Sequence, residues 1–262
     1  MPDILVYQDY VHNNGILFRN LVHAYGARNV GFCDASDILD GACLEKARLL
    51  IMPGGADLYY KEKLDGQGNA NIQTFVENGG AYLGICAGAY YGCDTLSWGA
   101  GSAHEISGSR QLGFFKGCAV GPIAEFIQEG DITKSWRNIV RLTGDFLSKV
   151  HHAFYAAGPY FIADEGTSQS CEVLARYDEI LEKPPAIIRL NYGAGAVVLS
   201  AVHIEYGADD IARTTYHTNN PSLDWDQSIA HKAGHITPQL FEKIMNIVYQ
   251  PAIKEARHVI AS

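Results

Sequence analysis

Three short segments carry residue types that can do covalent chemistry. The first is Gly84-Ile85-Cys86-Ala87-Gly88. A thiolate is a strong nucleophile, and one held at a tight turn between a strand and a helix needs small neighbours, because the backbone there is strained. Gly84 and Gly88 supply them. A helix beginning at Ala87 would present its dipole and free N–H groups to the sulfur, which favours negative charge. The Ala87 N–H is then placed to donate to an oxyanion, as the residue after the nucleophile does in other elbows. The competing reading is a small buried cysteine packed among glycines. The flanking pattern, with a base downstream, favours the nucleophile.

That base is in His203-Ile204-Glu205. Residues two apart on a strand point to one side, so the spacing predicts that His203 and Glu205 share a face while Ile204 faces away. A carboxylate on one ring nitrogen orients the other toward a thiol. By itself such a pair is usually structural. In a chain that also has the elbow, it completes a Cys86, His203, Glu205 constellation. The third segment is Pro53-Gly54-Gly55-Ala56-Asp57. Adjacent glycines can turn backbone N–H groups toward a ligand, so Gly54 or Gly55 can complete an oxyanion site opposite Ala87; a turn that simply leaves the sheet accounts for them equally well.

Other candidates are weaker. Cys93 would share a helical face with Cys86 if that helix continued, and packing is its expected role. His151 and His152 are adjacent and face opposite ways on a strand, so no metal site is expected. Phe154 to Pro159 is either a pocket wall or core.

The elements that must position these residues read as alternating strands and helices. Ile4 to Tyr7, Val30 to Phe32, Leu49 to Met52 and Ala81 to Ile85 are buried-strand candidates. Leu17, Leu21 and Ala24 fall at helical spacing after Asn13 and Asn14, plausible capping residues. A long loop is expected from Pro53 to Gly68, then a helix with Ile72, Phe75 and Val76 on one face, stopped by Gly79-Gly80. Such alternation implies an α/β fold with a mostly parallel sheet and helices on both faces. Ligands gather at the carboxyl ends of its strands, where Pro53 and Cys86 lie. Val140 to Leu142, Tyr160 to Ala163 and Val173 to Tyr177 read as extra strands. Ala186 to Leu190 and Ala196 to Val202 form the strongest hairpin signal, ending at His203. An amphipathic helix starts at Thr237-Pro238, carries Leu240, Phe241, Ile244, Met245 and Val248, and is interrupted at Pro251.

The chain has 262 residues, 47% hydrophobic and 19% charged, with a net charge of -9. This fits one globular domain over residues 1–262 and argues against a general nucleic-acid binder, which needs clustered Lys and Arg. Apolar runs are too short to span a bilayer and the start lacks a basic leader, so a cytoplasmic protein away from membranes is expected. The six cysteines are scattered, with no C-x-x-C pair, and reduced thiols are expected.

The elbow and the H-x-E segment resemble the class I glutamine amidotransferase pattern, G-[IV]-C-x-G followed far downstream by H-P-E. Met52 to Tyr60, Tyr82 to Gly92 and Leu112-Gly113-Phe114-Phe115 are more specifically similar to the amidotransferase-like N-terminal domain of large biotin-protein ligases. The resemblance runs from the first strand to Glu205 and implies a flavodoxin-like sheet with extra β elements. It implies Cys86 as nucleophile, His203 as proton shuttle, Glu205 as its orienter, and Gly55 and Ala87 as oxyanion donors. Gly54, Asp57, Tyr60 and Tyr90 are the pocket candidates. The expected substrate is a small-molecule amide or acyl compound, without a cofactor, and a ligase is a possible protein partner. Two departures stand out. Glutamine-using members carry Gln where this chain has Tyr90, which puts glutaminase activity in doubt, and Ile204 replaces the Pro. The Gly- and Arg-rich loop that holds biotinyl-adenylate in the ligases has no counterpart, so the chain is expected not to act as a biotin ligase by itself. It looks like a stand-alone accessory domain, either hydrolytic or a metabolite-binding, regulatory module.

Overall fold

In a computed structural model, residues 2–12, 14–213 and 221–260 are described, those from 250 onward by backbone alone. Four short apolar runs become β1 (Ile4–Tyr7), β2 (Val30–Cys33), β3 (Leu49–Met52) and β4 (Ala81–Ile85). Every residue of β1, β3 and β4 is buried. Strands without an exposed alternate position must be covered on both faces, which is why they read as continuous apolar runs.

The helices joining them are α1 (Asn14–Tyr25), α2 (Ala35–Asp40), α3 (Asp57–Leu64) and α4 (Gln67–Glu77). In α1, Leu17 and Leu21 are buried as expected, but Ala24 is exposed, and Val22 and Tyr25 pack against the core instead. The capping role expected of Asn13 lies outside the described residues, and Asn14 is the first residue of α1. The expected loop from Pro53 to Gly68 is largely helix: Tyr60 and Leu64, four apart, bury one face of α3, and α4 starts at Gln67. α2 is held by a reciprocal cap in which the Asp37 N–H donates to Asp34 Oδ1 and the Asp34 N–H to Asp37 Oδ2, both at 3.0 Å.

After β4 comes α5 (Ala87–Tyr91), and the chain then returns to extended structure in β5 (Cys93–Trp98), β6 (Ile106–Ser109) and β7 (Phe115–Gly121). Cys93 therefore opens a strand rather than sharing a helical face with Cys86. Next are β8 (Arg137–Thr143), β9 (His151–Ala156), β10 (Tyr160–Ala163) and β11 (Glu172–Tyr177). The hairpin is β12 (Pro185–Tyr192) with β13 (Gly195–Ser200). The chain continues through α6 (Ala208–Arg213), α7 (Leu223–Ala233) and α8 (Gln239–Ile260). α8 runs on through Pro251; proline's fixed φ is itself helical, and what it removes is one N–H donor.

Among the described residues the main sheet has the order β2-β1-β3-β4-β13-β12-β11-β8-β9, and a smaller one the order β10-β7-β5-β6. From β2 to β13 neighbouring strands are parallel. Beyond β13 the pairing is antiparallel, so the extra β elements extend the flavodoxin-like half. No described helix is long and apolar enough to cross a membrane.

Candidate active site

Cys86 sits between β4 and α5 with φ 51° and ψ -103°. Positive φ is unusual for a residue with a side chain and costs on the order of 1–3 kcal/mol. The surroundings hold it there. The Cys86 N–H donates to Ser200 O (2.8 Å) at the end of β13, and the Gly88 N–H to Pro53 O (3.2 Å) after β3. A β-carbon at Gly84 would lie 2.6 Å from the carbonyl carbon of Gly88, and one at Gly88 would lie 2.7 Å from that of Met52. The two glycines are needed for close backbone approach, as their spacing indicated.

The thiol is buried and donates to Ala156 O at 3.4 Å. Ala87 opens α5, so its N–H has no acceptor within the helix. Across the site, Gly55 pairs with Val11 in an isolated antiparallel bridge. The neighbouring bond, from the His12 N–H to Gly54 O (2.9 Å), ties the loop after β1 to the loop after β3.

His203 lies beyond the end of β13 rather than in it. It is held as an isolated bridge to Phe154, with its N–H on Phe154 O at 2.9 Å, and Glu205 follows in a turn. The strand alternation expected for this segment therefore does not apply, because β13 ends at Ser200. The expected contact is nonetheless made: Nδ1 of His203 is 2.8 Å from Glu205 Oε1, and both side chains are buried. With Nδ1 taken, Nε2 is the ring atom left for Cys86. Burial acts to lower the imidazole, but the Glu205 carboxylate and the interactions with neighbouring Cys86 outweigh it and pull His203 up to about 10. The ring packs against Phe154 and Tyr206, at centroid distances of 5.6 and 5.4 Å. From α1, Asn20 Nδ2 donates to the Glu205 carbonyl at 2.6 Å.

These groups open on a cleft of about 650 Å3. Gly54, Gly55, Asp57, Cys86, Ala87, Tyr90 and His203 all line it. Tyr60 does not: it is fully buried and its hydroxyl donates to Pro53 O at 3.0 Å, so it supports the loop from beneath. Tyr90 is buried, with its hydroxyl donating to Ala157 O at 3.0 Å. Burial, then the neighbouring Tyr155 and Cys86, raise it well above the ordinary phenol range, which keeps it a neutral donor. Asp57 is paired with the buried Arg110, Nε to Oδ2 at 2.6 Å. Burial raises Asp57 and Arg110 opposes the rise.

The segment from Phe154 supplies a wall through Phe154, Ala156 and Ala157. Sequence reasoning missed Val11, His12, Trp98, Ile106, Trp136 and Tyr206, which also line the cleft. Val11 and His12 follow β1 at the carboxyl edge of the sheet, a position that marks them in principle. The tryptophans carry no local signal. No described cluster of His, Cys, Asp or Glu is arranged to hold a metal ion.

The family model "Biotin-protein ligase, N terminal" matches residues 10–246, which include Cys86, His203 and Glu205. A protein of Chlamydia muridarum named only as uncharacterized is 41% identical over 167 residues, 62% of each chain. A biotin-protein ligase of Schizosaccharomyces pombe is 34% identical over 181 residues, covering 68% of this chain and 28% of the yeast protein. The chain thus spans less than two thirds of either relative. In fold it is similar to a glutamine amidotransferase crystal structure, with TM-score 0.53 and 22% identity over 77% of this chain and 90% of that one. PurLQS of Thermotoga maritima gives TM-score 0.52 and 16% identity, covering 94% and 98% of the two chains. With an amidotransferase-like α/β fold and this match along most of its length, the chain belongs to the biotin-protein ligase N-terminal family.

Proposed function

We propose that the protein is a cysteine-dependent hydrolase of an amide or related acyl substrate. The observation that carries this reading is Cys86 held at positive φ at the head of α5, beside an imidazole whose other nitrogen is fixed by Glu205. The Cys86 thiolate attacks the acyl carbon, and the N–H groups of Ala87 and Gly55 receive the oxyanion. His203, protonated at Nε2, gives its proton to the departing amine as the carbon–nitrogen bond breaks, leaving a thioester. His203 then takes a proton from water, hydroxide adds to the thioester, and the acid leaves as the thiolate and imidazolium are restored.

The test is an activated acyl ester incubated with the protein and followed by intact-mass and peptide mass spectrometry. An acyl group on Cys86, absent in Cys86→Ala and released by hydrolysis, is the expected result. Acylation spread over other residues, or none at Cys86, overturns it.

Tyr90 favours a second reading, a metabolite-binding or regulatory module. Its ring stands where glutamine-using amidotransferases carry Gln, and its hydroxyl is already bonded to Ala157 O. Since the yeast relative is named as a biotin-protein ligase, a ligase is the protein partner to test under this reading. Ligand-induced stabilisation without turnover distinguishes it from the hydrolase.

A further inference from the structure

Away from Cys86 the wall of the cleft is apolar. Trp98, the last residue of β5, and Trp136, just before β8, meet edge to face with centroids 5.7 Å apart and planes at 88°. Both line the cleft together with Ile106, and all three are only half-buried. Trp136 Nε1 donates to Ile132 O at 2.8 Å, so its N–H is occupied and what the ring offers is apolar face.

Charge is the second observation. Among the described residues no Lys or Arg lines this cleft, and its one carboxylate, Asp57, is tied to Arg110 at 2.6 Å. An anionic substrate arm seated on this wall would lose its hydration with no Lys or Arg to meet it, since His203 beside Cys86 is already paired with Glu205. An ammonium arm would find a carboxylate already paired. A neutral apolar arm loses nothing and covers Trp98, Ile106 and Trp136.

We propose that the cleft selects a neutral substrate whose acyl arm is apolar and ring-bearing, seated on Trp98, Ile106 and Trp136, and that it discriminates against arms ending in a carboxylate. This deepens the hydrolase reading and rests on it for the chemistry, but the selectivity is measurable without turnover.

Two measurements test it. The first compares acylation of Cys86 by the 4-nitrophenyl esters of phenylacetic, acetic and glutaric acids, the last a monoester with a free carboxylate. Phenylacetyl is expected to exceed glutaryl in kcat/KM by about tenfold or more, a discrimination that apolar pockets commonly reach. Trp98→Ala and Trp136→Ala should lower phenylacetyl transfer at least about tenfold more than acetyl transfer, with the corresponding Phe variants retaining most of the preference. Equal phenylacetyl and glutaryl rates, or losses that do not depend on the acyl group, overturn the proposal.

The second uses Cys86→Ala and equilibrium binding by calorimetry, with phenylacetamide and the anionic monoamide of glutaric acid as probes. Phenylacetamide is expected to bind about tenfold more tightly or better. Equal or reversed affinities overturn the selectivity whatever the chemistry does. Tight, Trp98-dependent binding of phenylacetamide in a protein that never acylates would uphold the selectivity and remove the hydrolase reading alone.

Discussion

Gly54 lies against the imidazole of His203 so closely that a β-carbon at this position would sit 3.1 Å from Nε2 and would overlap Cε1. The loop after β3 therefore fixes the ring by contact, in addition to lining the cleft. Gly54→Ala is expected to leave the fold standing while pushing the imidazole off Cys86. Misplacement on this scale costs about 10²-fold in rate, so native-state alkylation of Cys86 should slow by that order with a much smaller loss in thermal stability. An unchanged rate would show that the ring's position is not coupled to the thiol.

The His203–Glu205 pair predicts a definite pH dependence. The ring's ordinary value is 6.5 and it rises to about 10 in the folded protein. Because the folded value is the higher one, the stabilisation from protonated His203 is complete below pH 6.5 and is lost as pH climbs toward 10. Glu205→Gln removes the largest group raising the ring and leaves burial less opposed. The imidazole should then titrate at markedly lower pH, read from its nitrogen shifts by NMR, and stability should vary less across the alkaline range. A His203 titration that stays put in Glu205→Gln contradicts this assignment.

Asp57 and Arg110 form a buried ion pair at the cleft, with side chains 13% and 2% exposed. Breaking such a pair from one side typically costs about 3–5 kcal/mol. Arg110→Met should therefore destabilise the protein by that order at neutral pH in chemical denaturation. Asp57, already raised by burial, would rise further without its partner, so part of the loss should be recovered as pH falls and the carboxyl protonates. A loss independent of pH would mean that packing of the Arg110 stem is what matters.

Local signals made the elbow and the parallel half of the sheet legible. Gly84 and Gly88 are required by contacts within their own turn and with the neighbouring strand, and the buried strands β1, β3 and β4 are unbroken apolar runs. His203 and Glu205 do meet, but not by the route their spacing suggests. The chain leaves β13 at Ser200, and a bridge to Phe154 and a turn bring the pair together where strand alternation was expected to. α3 was hidden because Gly54, Gly55, Gly66 and Gly68 bracket it and suggest one long loop. Trp98 and Trp136 were illegible for a different reason. They meet only when the smaller sheet and the segment before β8 come together at the cleft, and nothing within a few residues of either one reports that contact.

Whether Cys86 is an activated nucleophile is read most directly from a brief iodoacetamide pulse at neutral pH, with all six thiols followed by peptide mass spectrometry. Accessibility alone ranks Cys86, at 7% exposure, behind the part-exposed Cys43, Cys118 and Cys171. Burial, followed by Asp37 for Cys43 and Glu172 for Cys171, pushes those two thiols up to about 11 and slows them. Cys86 is expected to be modified first in the native protein, and its lead to disappear on unfolding and shrink by about 10²-fold or more in Glu205→Gln. Native Cys86 reacting no faster than the same thiol in the unfolded chain would contradict it.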